Sequence, residues 1–211
     1  MHRSTAIMSA LLAGFTASAQ TVIHVDADAA LGGDGTSWAT AYRYLQDGLA
    51  EARTIVANGA SADIWVAEGT YFPDESEAAP AGGTDDPFAT FELDGGSSIL
   101  GGFRGNETTP DARNPSSVRV VLDGDIEQDD MGGPADDGNA LHVVSIVSDI
   151  NSFASVDTAL AIIDGFVIAR GNSRQTGARI FSEGSAIWTE FANITILNCS
   201  VEDNSGGELR L

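Results

Sequence analysis

The chain has no lysine, and it is short of positive charge altogether. Ten arginines face 31 aspartates and glutamates, which gives a net charge of −21 over 211 residues. Nucleic-acid backbones and anionic membranes bind proteins through clustered positive charge that releases counterions. This composition therefore excludes nucleic acid as an expected partner. It is typical of a solvated acidic surface, and such a surface can recruit divalent cations.

Cysteine is nearly absent as well, because Cys199 is the only one. The chain therefore has no internal disulfide, and burial and backbone pairing must supply its stability. No Cys–His signature surrounds Cys199, so we expect a small buried residue there and not a nucleophile. The sequence also lacks Gly-x-Ser-x-Gly, His-Glu-x-x-His and a phosphate-binding loop.

Long hydrophobic runs are missing after the first residues. Arg3 precedes an apolar run over residues 6–15, and Ala17-Ser18-Ala19 follows as a small-x-small cleavage pattern. This order predicts a secretory signal peptide over residues 1–19, and hence a secreted or cell-surface protein. No later stretch approaches the roughly 18 apolar residues that a transmembrane helix needs.

One amphipathic helix is predicted near the start of the mature chain. Its apolar face is formed by five residues at helical spacing, Tyr42, Leu45, Leu49, Ala52 and Val56. Ser37 or Thr40 is the predicted N-cap, and Asn58-Gly59 is the predicted end. Together with an alternating strand predicted over residues 21–26, this helix forms an N-terminal cap over residues 20–60. Residues 61–211 form the second predicted region, which contains the repeated β segments.

A short phrase of apolar residues, an acid or amide, and usually Gly recurs five times in the rest of the chain. Its equivalent positions are Ala67, Leu93, Leu122, Ile163 and Leu197, which lie between 26 and 41 residues apart. Recurrence at such intervals is the sequence signature of stacked repeats.

Two β architectures compete for these segments. Asp123-Gly124 and Asp164-Gly165 lie between apolar runs, which taken alone indicates hairpins and an antiparallel sandwich. The alternative is a parallel β-helix, in which Asp-Gly marks a bend within one coil. The repeat spacing and the single helix, which would close the open first coil, favour the second arrangement. We therefore predict an all-β, right-handed parallel β-helix (solenoid) with one N-terminal capping α-helix.

Three stretches carry a resemblance to a known superfamily. Residues 35–49, 64–73 and 100–108 resemble the opening of secreted right-handed parallel β-helix proteins of the pectin-lyase-like superfamily. Residues 184–187 and 199–205 are more weakly similar to the repeats of polymorphic outer-membrane proteins. The resemblance implies a β-helix and export. It leaves activity open, because the superfamily contains polysaccharide lyases and hydrolases as well as adhesins and surface proteins of no known activity.

A candidate Ca²⁺ site lies in the acidic loop that follows residue 122. Its ligands would be Asp123, Asp125, Glu127 and Asp129, which alternate as the acids of a Ca²⁺ loop do. The EF-hand pattern then fails, because Gln128 replaces the Gly of that loop. The other interpretation is a solvated acidic loop. Ca²⁺ is the one cofactor that the sequence suggests.

Residues for catalysis are hard to find. A pectate-lyase-like mechanism, as the resemblance implies it, would need an arginine or lysine base, for which Arg119 and Arg170 are the candidates. The motifs of the related hydrolases are absent, and His142 in an apolar strand is expected to be structural. Four aromatic residues that could stack on sugars are expected to lie in the core instead: Trp38, Tyr44, Tyr71 and Trp188.

These observations favour an exported protein with a structural, adhesive or glycan-binding role and no demonstrable catalysis. The alternatives are a pectate-lyase-like polysaccharide lyase and an antiparallel β-sandwich carbohydrate-binding module. Expected partners are a polysaccharide or cell-surface glycan. Since no capping segment follows the last repeat, we also expect self-association there, or a chain that continues beyond residue 211.

Overall fold

The computed structural model describes residues 20–130, 138–147, 160–173, 185–190 and 192–206. The predicted signal peptide, residues 1–19, lies outside the described residues. So do part of the acidic loop, residues 131–137, and residues 207–211 at the end where self-association was expected. Within the described ranges, no helix is both long enough and apolar enough to cross a membrane.

The largest sheet, sheet A, has five parallel strands in the spatial order β1-β2-β5-β8-β11. Their bounds are β1 Thr21–Val25, β2 Ala62–Ala67, β5 Ser97–Phe103, β8 Leu160–Asp164 and β11 Asn193–Leu197. The one α-helix within the described ranges, α1 at Leu45–Ala57, connects β1 to β2. Isoleucines pair in register across this sheet, with Ile64 beside both Ile23 and Ile99, and Ile163 beside Ile196.

Two smaller parallel sheets complete the strand structure. Sheet B has the order β12-β9-β6-β3, and sheet C has the order β10-β7-β4. Sheet B comprises β3 Gly69–Tyr71, β6 Val120–Asp123, β9 Val167–Ala169 and β12 Ser200–Glu202. Sheet C comprises β4 Phe91–Glu92, β7 Val144–Val147 and β10 Ile187–Glu190. From β2 onward the chain visits A, then B, then C, and repeats this order.

The predicted fold class is wrong. The prediction was an all-β, right-handed parallel β-helix, whereas the structure has mixed content, with 12% helix and 34% strand. Its strands form three separate parallel sheets, and the part of the chain that the structure describes shows no single solenoid and no curled sheet. The helix at Leu45–Ala57 supplies the helical content, and each strand pairs only with strands of its own sheet, even where one residue separates β2 from β3.

The antiparallel alternative is wrong too. Every strand pair among the described residues is parallel. Asp164-Gly165 lies at the bend between β8 in sheet A and β9 in sheet B, and Asp123-Gly124 ends β6. Gly165 has φ +91° and approaches the Gly101 carbonyl too closely for a side chain. These Asp-Gly pairs therefore mark bends and not hairpins, as the repeat spacing indicated.

The repeated phrase does not occupy one equivalent position in the fold. Ala67, Ile163 and Leu197 lie at the ends of strands in sheet A, whereas Leu93 follows β4 in sheet C and Leu122 belongs to β6 in sheet B. The true partner of Ala67 in the next strand is Phe103. The same phrase recurs in different sheets because each sheet needs apolar residues that end in a polar bend.

One apolar core lies between the three sheets and extends under α1. It contains residues from all three sheets and from the helix, among them Ile64, Ile99, Ile163, Leu122, Ile168, Phe91, Val144 and Leu49. All eight are at most 3% exposed. The burial of Leu45, Leu49 and Ala52 matches the apolar helix face that the sequence predicts.

The helix begins later than the sequence predicts. Ser37 precedes a 3₁₀ turn at Trp38–Thr40, of which Thr40 is the last residue. The N-cap of α1 is Tyr44, which makes no side-chain capping bond. The end matches the prediction, with Asn58 at the C-cap and Gly59 at φ +80°.

Gly48 lets α1 approach the first strand. A Cβ at this position would lie 2.8 Å from Val25 Cγ2 and 3.6 Å from both Ile23 Cγ2 and Ile64 Cγ2. Real Cβ atoms do not approach other atoms to 2.8 Å without displacement, so the absent side chain is what sets the distance between α1 and sheet A.

We predict that Gly48→Ala destabilises the protein. An alanine in an exposed helix gains about 1 kcal/mol over glycine, but overpacking of a filled core costs about 1–3 kcal/mol. The overlap with Val25 should outweigh the gain, which leaves a net loss of about 1 kcal/mol in the free energy of unfolding, measured in urea. Thr54→Ala, at an exposed position of α1, is the control and should be neutral or stabilising. A stabilised Gly48→Ala would contradict this account.

Candidate functional site

The best-defined charged site lies where β6 and β9 end side by side. Asp123 is the last residue of β6 and pairs with Ala169 in β9, so Arg170 emerges directly beside it. Arg170 Nε donates to Asp123 Oδ1 at 2.9 Å, and its Nη2 is ion-paired with Asp123 Oδ2. The Asp123 side chain is fully buried, and that of Arg170 is 21% exposed. A fork of two parallel contacts is the strongest geometry for such a pair.

Backbone groups hold the acids next to this pair. The Asp125 amide donates to Asp123 Oδ1 at 3.2 Å, and Arg170 Nε lies 3.8 Å from Asp125 Oδ2. Asp125 Oδ1 and Oδ2 accept the amides of Asp129 and Asp130 at 3.1 and 3.2 Å. Asn139 Nδ2 then contacts both Asp130 Oδ2 and the Arg170 carbonyl at 2.8 Å. Residues 125–130 and Asn139 thus surround Arg170.

Burial and charge oppose each other at Asp123. Burial raises the pKa of the Asp123 carboxyl, while the Asp125 amide and the Arg170 guanidinium act to lower it. The raised pKa means that burial is the larger effect even with an arginine in contact. Arg170 is therefore what permits an ionised carboxylate in the core.

The residues proposed to bind Ca²⁺ fall into two groups. Asp123 and Asp125 lie together and contact Arg170, whereas Glu127 and Asp129 are exposed on the loop surface. Within the described ranges, no three His, Cys, Asp or Glu side chains are placed to hold one metal ion. In this arrangement Asp123 and Asp125 do not fit a Ca²⁺ site, since the cation would have to displace the guanidinium. Ca²⁺ binding by these residues stays a prediction.

A second buried ion pair connects the bends between sheets A and B. Arg113 Nη2 is ion-paired with Asp164 Oδ2, and Arg113 Nη1 donates to the Gly101 carbonyl at 3.0 Å. Asn198 Nδ2 donates to the other carboxylate oxygen, Asp164 Oδ1, at 2.7 Å. Three successive bends are thereby connected through one aspartate. The role of Arg113 was not predicted from the sequence. The only related feature in the sequence was the Asp164-Gly165 bend, where a buried aspartate needs a counter-charge.

A surface groove runs along the same bends. Its volume is about 370 Å³, and it is lined by residues 115–120, 165–167 and 198–200. Hydroxyls of Ser116, Ser117 and Ser200 lie beside the apolar side chains of Val118 and Phe166. We call it the bend groove. Apolar surface with a few convergent polar groups is the usual composition of a ligand site.

Cys199 and Arg119 also line the bend groove, but neither is poised for chemistry. Burial raises the pKa of the Cys199 thiol, so the thiol stays protonated at neutral pH, and Sγ donates to the Leu197 carbonyl at 3.1 Å. Arg119 Nη2 is ion-paired with Glu202 Oε2 at 2.9 Å, where both side chains are exposed. Both of the arginines considered as lyase bases, Arg119 and Arg170, are thus held by carboxylates.

The aromatic residues considered for sugar stacking are in packed surroundings. Tyr44 and Tyr71 are 7% and 3% exposed. Trp38 is half-buried, and its Nε1 donates to the Glu107 carbonyl at 2.8 Å. Trp188 is half-buried and stacks on His142, with ring centroids 5.3 Å apart. Trp38 packs on Trp65 and Phe103, which stack with centroids 4.9 Å apart, on the side of sheet A away from the core.

We predict that Arg170→Met costs about 2–3 kcal/mol in the free energy of unfolding at neutral pH, because removing one partner leaves a buried, uncompensated carboxylate. The pKa of Asp123 then rises further above its unfolded value. The cost is therefore full above that folded pKa and shrinks as the pH falls through it, since the folded state binds the extra proton. Urea unfolding at neutral and mildly acidic pH measures both effects.

Two variants test whether the lost pair is the cause. Adding Asp123→Asn to Arg170→Met removes both charges and should recover much of the stability at neutral pH. Arg119→Met breaks the exposed pair with Glu202 and should cost less than about 1 kcal/mol. A double variant as unstable as Arg170→Met would show that the ion pair is not what Arg170 supplies.

Comparison with known proteins finds no family model, no curated protein and no solved structure that matches the chain. The resemblance to the pectin-lyase-like superfamily therefore stays a prediction. Function has to be argued from the site, because a fold alone does not fix an activity.

Proposed function

We propose that this protein is an exported, non-catalytic surface or secreted module with a structural, adhesive or glycan-binding role. The observation that carries the proposal is the use of the buried charges. Asp123 and Asp164 end strands of neighbouring sheets, and each is tied to an arginine from another repeat. Charged side chains that are ion-paired in this way stabilise the fold. A catalytic acid or base, in contrast, needs a side chain that can contact the substrate.

The bend groove is the surface that supports glycan binding. It is lined by residues from three successive bends between sheets A and B, so a ligand there can contact several parts of the chain at once. The exposed Ser117 hydroxyl can bond to a sugar hydroxyl. The hydroxyls of Ser116 and Ser200 donate to Asn114 Oδ1 and Glu202 Oε1, and each can still accept from a sugar hydroxyl. A rigid set of parallel strands holds these groups in fixed positions.

The net negative charge of the protein limits the kind of glycan that it can bind. The net charge of −21 repels polyanions unless a cation lies between them. A neutral polysaccharide escapes this repulsion. We therefore propose a neutral glycan as the ligand, and the predicted signal peptide would place the protein outside the cytoplasm, where such polymers occur.

We predict that Ser117→Trp abolishes binding to a neutral polysaccharide by filling the bend groove. Affinity electrophoresis through gels that contain single neutral or acidic polysaccharides measures the retardation. The matched control is Thr108→Trp, which adds the same indole at an exposed loop position outside the groove and should leave retardation unchanged. If wild-type protein is retarded by none of the polymers, the glycan-binding part of the proposal is wrong. Retardation that both variants keep would place the binding elsewhere on the surface.

The runner-up is a polysaccharide lyase of the pectate-lyase type. Against it stand the carboxylate contacts of Arg119 and Arg170, which oppose their use as a base. We predict no unsaturated product, followed by its ultraviolet absorbance, when the protein is incubated with pectate, alginate or hyaluronan in the presence of Ca²⁺. Product from any of the three, lost in Arg170→Met but not in Arg119→Met, would replace the non-catalytic proposal with the lyase.

A further inference from the structure

Two adjacent carboxylates are buried in the turn that follows β3. Asp74 is 6% exposed and Glu75 is 9% exposed. Aspartate and glutamate are almost never buried to this extent unless they are paired or bind a metal. Neither the predicted Ca²⁺ site nor the proposed function uses this turn, and no residue of the turn lines the bend groove.

One oxygen of Asp74 has no hydrogen-bond partner. Asp74 Oδ2 accepts the amides of Thr84 and Asp85, at 2.8 and 3.1 Å. Asp74 Oδ1 is fully buried, and no described residue forms a hydrogen bond with it. A buried polar oxygen without a donor is costly, because its water has been removed without replacement. A water or a cation from solution can supply the missing partner.

The same short segment wraps both carboxylates. The Gly82 amide donates to Glu75 Oε1 at 3.0 Å, next to the amides that Asp74 accepts. Gly83 has φ +55°, and a Cβ there would overlap the Asp74 carboxylate. Gln128 Nε2, from the acidic loop after β6, also donates to Glu75 Oε1 at 3.0 Å. The two carboxylates thus connect two loops, through the amides of residues 82–85 and the side chain of Gln128.

Among the described residues, neither Asp74 nor Glu75 forms an ion pair with an arginine or a histidine. The two buried arginine pairs in this part of the chain serve Asp123, Asp125 and Asp164. Burial of a carboxylate without a counter-charge is costly. A bound cation would supply both the counter-charge and the bond that Asp74 Oδ1 lacks.

We propose that Asp74 and Glu75 bind a divalent cation, with Asp74 Oδ1 as the central ligand, and that Ca²⁺ is the best fit. Ca²⁺ accepts irregular sets of carboxylate, amide and main-chain oxygens, whereas Mg²⁺ demands near-ideal octahedral geometry. The two carboxylates supply the charge, and neutral oxygens such as Gln128 Oε1, together with water, complete the shell. The cation holds residues 73–85 against the loop after β6.

Calcium titration of the full chain, after chelator treatment and dialysis, tests the proposal. Isothermal calorimetry gives the affinity, and thermal unfolding gives the shift in melting temperature. Terbium emission supplies a local readout, since the Tyr44 hydroxyl accepts the Ala81 amide at 3.2 Å, beside the proposed site, and can sensitise a bound lanthanide. We expect Asp74→Asn and Glu75→Gln to weaken binding at least tenfold and to lose the terbium signal. Asp85→Asn, the same charge change at an exposed residue of the same loop, should bind as wild type does.

Each outcome decides the question. No saturable binding to the wild-type chain overturns the proposal, and a buried water then satisfies Asp74 Oδ1. Equal losses in Asp74→Asn and Asp85→Asn would show a diffuse effect of charge and overturn it as well. Binding that survives Asp74→Asn and Glu75→Gln but is lost when Asp123 and Asp125 are replaced by Ala would place the cation in the Arg170 cluster instead. Far-UV circular dichroism tests whether each variant is folded. If Asp74→Asn does not fold, the binding of Ca²⁺ to a folded Glu75→Gln decides between the outcomes.

Discussion

Parallel, in-register pairing between strands far apart in sequence is the constraint on which the structure depends. In sheet A, Ile64 lies between Ile23 and Ile99, and Ile99 pairs in turn with Ile163. Because the side-chain period of a strand is two residues, a slip by one position would turn every one of these isoleucines from the core to the other face. The isoleucine column therefore fixes register, and register then fixes where each strand ends.

The ends of the strands explain the buried charges. Parallel strands finish at the same edge of a sheet, so residues that follow neighbouring strands come together regardless of their distance along the chain. Asp123 meets Arg170 at such an edge, 47 residues away, and Asp164 meets Arg113 across 51 residues. A carboxylate at a bend is buried by the neighbouring strands. An arginine from a distant part of the chain then offsets its charge.

Local features could be predicted from the sequence. The periodic face of α1 and its end at Asn58-Gly59 follow from spacing and capping chemistry, and the Asp-Gly pairs were rightly placed at bends. The fold class and the assignment of Leu93 and Leu122 to one repeated position were wrong. Composition and spacing carry no information on which sheet a short apolar run joins, since the same phrase serves all three.

The candidate sites were harder to predict for a related reason. Alternating acids after residue 122 suggested one cluster of four ligands, but a strand end and a loop separate them into a buried pair at Arg170 and two exposed residues. Asp74 gave no signal, because burial of a carboxylate in a Pro- and Gly-rich loop depends on amides ten and eleven residues later.

The shortage of positive charge connects these observations. A chain with ten arginines and no lysine has few groups to neutralise the acids that its bends and loops draw inside. Arg170 directly follows β9, where register brings it into contact with Asp123, whereas Arg113 reaches Asp164 from the loop between β5 and β6. No described arginine is ion-paired with Asp74, which lies in the long loop between sheets B and C. A cation from solution is the counter-charge that we propose for this turn, and an acidic protein attracts divalent cations more strongly than a neutral one. The same composition that excludes anionic partners thus favours a bound cation at this turn.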